Sequence, residues 1–252
     1  MQDFAKLFEK FDPTDFKNFG RRIMSREAVL EKIGKRESLA GARIHGIALG
    51  GLNLADVNLE GAMIIDADLS GANFENARLG NVTIMNSDLR GAMLCGADLT
   101  AAQLVNTNGD DADFTGADLS GAAVRVEPVF VKNLSEIRIP EALREMIAKD
   151  PSAIDVAALD LGLEDLGITP ADFQDGEGRM KAADFSGATM RNASFEGVSL
   201  EQANFDGADV SGAAFTGGPM TDADFSGANL DGARFESADL GATRMIGARM
   251  AD

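Results

Sequence analysis

The sequence predicts a repeat solenoid wound with four flat sides, and three observations carry that reading. A Leu, Phe, Ile, Val or Met recurs at every fifth position along most of the chain, as in Ala67-Asp68-Leu69-Ser70-Gly71 and Ala223-Asp224-Phe225-Ser226-Gly227. The residue two places before it is nearly always Ala, and the residue two places after it is usually Gly, Asn or Asp. Residue types also recur at every fourth pentapeptide. Ile44, Ile64 and Ile84 form one series, Phe185, Phe205 and Phe225 a second, and Phe195, Phe215 and Phe235 a third. A period of five fits neither the 3.6 of a helix nor the 2 of a strand, so the backbone turns a corner every five residues. Four pentapeptides per coil stack the Ile residues on one face and set the two Phe series on opposite faces. Smaller side chains between them then fill a square core without voids. Three or five sides would scatter these columns.

Taken in order, residues 1–36 form an amphipathic helical arm. Phe4, Leu7, Phe8 and Phe11 fall at i, i+3, i+4 and i+7, Phe16, Phe19 and Ile23 suggest a second helix, and Ala28 to Ile33, ending at Gly34, a third. The open end of a coil is a row of unpaired backbone groups, so the arm is expected to cap the first coil. Arg21, Arg22, Arg26, Lys32, Lys35 and Arg36 leave a membrane surface or a partner as its other destination.

Residues 37–124 hold the first repeat block, centred on Leu39, Ile44, Leu49 and so on to Val124, with a skip at Gly109. That skip reads as a distorted face. Residues 125–181 lose the repeat and read as a helical insert. Pro140 to Ile147 has Ile139, Leu143, Met146 and Ile147 on one face, Ser152–Leu166 is a second helical stretch, and Thr169-Pro170 resembles a helix start. Residues 182–252 hold the second block, centred on Phe185 through Met250. Whether the two blocks stack as one rod is left open by the sequence, although their matching square cores favour stacking.

The pattern A-(D/N)-(L/F)-x-G resembles the pentapeptide-repeat family across both blocks, 37–124 and 182–252. The resemblance implies an all-β solenoid, a right-handed quadrilateral β-helix, in which the central residue and the Ala before it point inward. It says little about function, because the repeat describes the core and leaves the surface open. Some members of that family resemble B-form DNA in shape and charge, associate through their ends, and bind DNA gyrase or topoisomerase IV. This chain shares their acidic coils but departs from them in its insert and its helical arm.

Composition narrows the function further. The chain carries 23 Lys and Arg against 41 Asp and Glu, a net charge of −18, which argues against direct nucleic-acid binding. Only the arm is basic, with nine Lys and Arg against six Asp and Glu over residues 1–36. The acidic surface is expected to include Asp110, Asp111, Asp113, Asp206, Asp209, Asp224, Asp231 and Asp239. One Cys, Cys95, permits no intramolecular disulfide, the start lacks a signal-peptide pattern, and no stretch reaches 18 apolar residues. A cytoplasmic location is expected.

No enzymatic constellation is visible, and neither a cofactor nor a metal is expected. His45 and Cys95 both follow a central residue and so face outward without a catalytic neighbour. The run Asn106 to Asp113 is oxygen-rich but lacks the spacing of a calcium loop. Two apolar surfaces remain. Met63, Ile65, Met85 and Val105 are expected to form a solvent-facing stripe, which reads as a partner site or as the seat of the insert or the arm. Met245, Ile246 and Met250 lie in the last coil, and a homodimer through that coil is expected. The sequence therefore points first to a non-catalytic protein-interaction scaffold. A DNA-mimicking regulator of gyrase or topoisomerase IV is the alternative, and a membrane-surface adaptor working through the basic arm the third.

Overall fold

The computed structural model describes residues 23–127, 129–130, 173–174, 176 and 178–250. The helices expected around Phe4–Phe11, Phe16–Phe19, Pro140–Ile147 and Ser152–Leu166 lie outside the described residues. The chain divides into two units. One comprises residues 24–127 and 176–252, the other residues 1–23 and 128–175.

The larger unit is the four-sided coil. Counting from Leu39, its faces are centred in turn on Leu39, Ile44, Leu49 and Leu54, and each recurs after four pentapeptides. The second face carries three-residue strands, β1 (Arg43–His45), β2 (Met63–Ile65), β3 (Thr83–Met85), β4 (Gln103–Val105) and β5 (Ala123–Arg125). The smaller unit contributes β6 (Val129–Phe130) and β7 (Phe173–Gln174), which pair antiparallel with each other. The strand face resumes with β8 (Ser194–Glu196), β9 (Ala214–Thr216) and β10 (Arg234–Glu236). β5 pairs in parallel with β8, Val124 opposite Phe195, so the two blocks form one continuous eight-stranded face.

The register across the insert shows how the repeat is interrupted. Had it run on, the centre stacked over Val124 would fall at position 144. Phe195 takes that place instead, because the ladder breaks after β5 and resumes with Arg179 opposite Asn108. The corner before the departure explains where the chain leaves. Every other pentapeptide corner, from Gly41 to Gly121 and from Ala182 to Gly247, has a left-handed residue two places after its centre, with φ between 49° and 70°. Asp, Asn, Ser, Gln and even Ala hold this conformation here. The equivalent residue after Val124 is Val126, which is absent from that set. A β-branched side chain opposes positive φ, so the corner is not made and the chain exits.

The accounting of backbone donors shows why Asp or Asn so often precedes the centre. In the pentapeptide 72–76, Asn73 N donates to Leu52 of the coil below, and Phe74 N and Asn76 N donate to Met93 and Cys95 of the coil above. Ala72 N closes the turn onto Leu69. That leaves Glu75 N, and the Asn73 side-chain oxygen accepts it at 2.9 Å. The same closure recurs at Asp68, Asp98, Asp118, Asp184 and Asp224. Each such side chain satisfies a donor the ladder cannot reach. On the strand face this position is Arg43, Met63, Thr83, Gln103, Ala123, Ser194, Ala214 and Arg234, none of them Asp or Asn, and there the backbone extends into strands instead.

The core follows the expected columns. Phe114, Phe185, Phe205 and Phe225 stack on the fourth face with centroids 4.8, 5.0 and 4.5 Å apart. Phe195, Phe215 and Phe235 stack on the second face, 5.1 Å apart at each step. The two columns meet edge to face across the core, as Phe215 and Phe225 do at 5.8 Å. The expectation of a distorted face at Gly109 is corrected. Gly109 lies in the ladder, donating to Arg179 O at 2.7 Å, and its place in the core is filled by Met180 of the next coil. A Cβ at residue 109 would overlap the Met180 sulfur. The second block therefore begins one pentapeptide earlier than Phe185, at Met180.

The first coil is covered. α1 (Arg26–Gly34) starts at Ser25, whose hydroxyl accepts from Ala28 N, and it buries Val29 fully while Leu30 and Ile33 pack on the core. The Arg26 guanidinium donates to Ala48 O, and Met24 N to Arg43 O, so α1 and the residues before it engage the backbone edge as a cap must.

Candidate functional site

Because the interior is filled by the repeat itself, a functional surface has to be built from the outward residues, the one before and the one after each centre. On three faces the residue before is commonly an Asp or Asn engaged with the corner donor. On the strand face it is neither at any level.

Met63, Ile65 and Met85 lie on that free face, half-buried, with Ile65 opposite Met85 and Met85 opposite Val105 in the parallel register. Ile65, Met85 and Val105 thus stack in one column, with Met63 beside Ile65 on β2. Its exposure differs at the far end, since Val105 is buried, only 1 % exposed, and the reading of a stripe facing solvent throughout is corrected there. The column is bounded below by His45, whose imidazole lies 3.1 Å from the Asp66 carboxylate. Above it, Arg125 bonds Gln103 and Glu127, and Asn106 accepts Glu127 N at 2.8 Å. These contacts fix the chain where it leaves the coil.

The acidic residues do not gather in one patch. Asp113 and Asp224 share the fourth face with Asp184, Asp209 shares the first with Asp98 and Asp118, and Asp239 lies on the third. Asp206 and Asp231 follow their centres on the fourth and first faces, and Asp111 is a left-handed corner. Asp110 accepts Lys181 N at 3.0 Å and lies 3.4 Å from the Arg179 guanidinium, tying the two blocks together. Asp231 pairs with Arg249. Burial pushes the Asp209 carboxyl up, but hydrogen bonds from Arg191 and Ser211 outweigh it and hold the group below the usual carboxylate range. Asp224 is lowered by its bonds from Ser226, then by Arg244.

Cys95 is half-buried, and its thiol donates to Asp113 at 3.0 Å. Burial, then that bond, pushes the thiol up to about 11, the opposite of what a nucleophile requires. Gly217-Gly218-Pro219 forms a corner in close quarters. Gly217 is left-handed, and a Cβ on Gly218 would overlap the Val198 carbonyl. Among the described residues no group of three or more His, Cys, Asp and Glu could hold a metal ion. No described helix is long and apolar enough to cross a membrane.

The last described coil is the counterpart of the capped first one. Its inward residues Phe235, Leu240 and Met245 are only half-buried, whereas the equivalent positions of earlier coils are buried. Ile246 and Met250 are 73 % and 67 % exposed.

Comparison with known proteins agrees with this architecture. Family patterns described as pentapeptide repeats match residues 42–81, 53–91, 94–125 and 179–217, and a second such pattern matches 200–244. Among solved structures, QnrB1, described as a plasmid-mediated fluoroquinolone resistance protein, shares 16 % identity over 86 % of each chain with a TM-score of 0.39. HetL of the cyanobacterium Nostoc sp. strain PCC 7120, described as involved in heterocyst differentiation regulation, shares 22 % over 91 % of this chain and 98 % of its own, with a TM-score of 0.29. A pentapeptide repeat protein of the Arabidopsis thaliana thylakoid lumen shares 30 % over 28 % of this chain and 52 % of its own, with a TM-score of 0.20. No curated protein matches. With its coils, corners and both repeat blocks matched, the chain belongs to the pentapeptide-repeat family.

Proposed function

We propose that this protein acts by binding another protein, as a rigid acidic scaffold without chemistry of its own. One observation carries the reading. The strand face is the one face with no Asp or Asn before its centres, and there the chain places Ile65 opposite Met85, with Met63 beside Ile65 on β2. The repeat does not require these side chains, and a set of adjoining apolar groups on a flat, stiff face is suited to protein contact. The test is capture of partners on the immobilised protein, compared with the double variant Ile65→Arg, Met85→Arg. Loss of a captured protein with an unchanged melting temperature supports the reading. Equal capture by both proteins, or a severe fall in melting temperature, overturns the assignment to this face.

A second reading is regulation of DNA gyrase or topoisomerase IV through the acidic columns. The in-register carboxylates Asp98, Asp118 and Asp209 on one face, and Asp113, Asp184 and Asp224 on another, favour it. Supercoiling of relaxed plasmid by gyrase, with and without a quinolone, tests it. Inhibition or protection at micromolar protein supports the reading, and no effect there sinks it.

The half-buried Phe235, Leu240 and Met245, with exposed Ile246 and Met250, favour a homodimer through the last described coil. Light scattering at tens of micromolar tests this. A dimer that becomes a monomer on Ile246→Arg, Met250→Arg supports it, and a monomeric parent protein excludes it.

A further inference from the structure

We draw no further inference here: the strongest candidate, the acidic cluster of Asp110, Asp111 and Asp113 beside the buried Thr107, whose hydroxyl has no partner, has Asp110 and Asp113 already engaged by Lys181, Arg179, Cys95 and Thr115, while Thr107 occupies an inward position and does not face the carboxylates.

Discussion

The coils before the insert and those after it share a backbone but fill it differently. Before it, the second face is lined by Ile44, Ile64, Ile84, Leu104 and Val124 and the fourth alternates Leu54, Phe74, Leu94 and Phe114. After it, phenyl rings occupy every centre on those two faces from Phe185 to Phe235, with Met, Val and Leu on the other pair. Corner geometry and strand register are the same in both. The path of the chain is thus set by its corners and their donors, and the core is fitted to that path column by column.

The largest test of this difference is core truncation. Phe205 is fully buried between two stacked rings, so Phe205→Ala is expected to cost about 3–5 kcal/mol. Leu94→Ala, on the same face before the insert, falls in a range of about 2–5 kcal/mol. Chemical denaturation that finds Leu94→Ala the costlier would show that the stacked rings add nothing beyond their volume.

Next is the junction. Gly109→Ala drives a methyl into Met180 and is expected to lose about 1–3 kcal/mol. Met180→Ala leaves a cavity at the same point, so the double variant should lose clearly less than the two single losses together. Additive losses would mean that the two residues do not share that space.

A smaller effect, of opposite sign, is expected at Thr107. Its buried hydroxyl lacks a partner, whereas Ser87 one coil below donates to Met85 O at 2.8 Å and accepts Ala67 N at 3.1 Å. Thr107→Val should stabilise by about 1 kcal/mol and Ser87→Ala destabilise by a similar amount. A thermal shift of the same sign for both would refute the contrast.

The smallest concerns charge. Asp88 before the insert, and Asp209 and Asp224 after it, have carboxyls lowered below their ordinary values, Asp88 chiefly by hydrogen bonds from Arg90. A lowered folded value means stability that is fully present above the unfolded carboxylate pKa of about 3.9 and is lost as pH falls through the folded values. The melting temperature should therefore hold from neutrality to about pH 5 and decline below it. Asp209→Asn together with Asp224→Asn should flatten that decline slightly, and an unaltered profile would remove these two groups as contributors.

Much of this was legible from residues alone, because a five-residue period writes each coil position into the sequence repeatedly. Phe185 through Phe235 predicted two opposed columns, and Ala28 to Gly34 predicted the helix that covers the first coil. Three features escaped. Met180 was hidden because Gly178 stands where Ala normally marks the pentapeptide, so Gly109 read as a gap and not as half of a complementary pair. The role of Asp and Asn before the centre was open to view in the composition of the repeat, and the signal was their absence from every fourth pentapeptide. The burial of Val105 has no local signature, since its register neighbours Ile65 and Met85 differ little from it in kind.

The break in the repeat between Val124 and Met180 also has a consequence for how the coil is wound. Everywhere else a growing solenoid meets its next layer after four pentapeptides, so propagation encounters a similar closure entropy at each turn. Val124 must instead find Phe195 across a loop several-fold longer, which adds about 1 kcal/mol of closure cost to that single step. If winding starts within either half, it is expected to pause there. The coil would then fold as two nucleated segments and unfold as one, with the aromatic half able to wait for its partner because its layers are held by their own stacked rings.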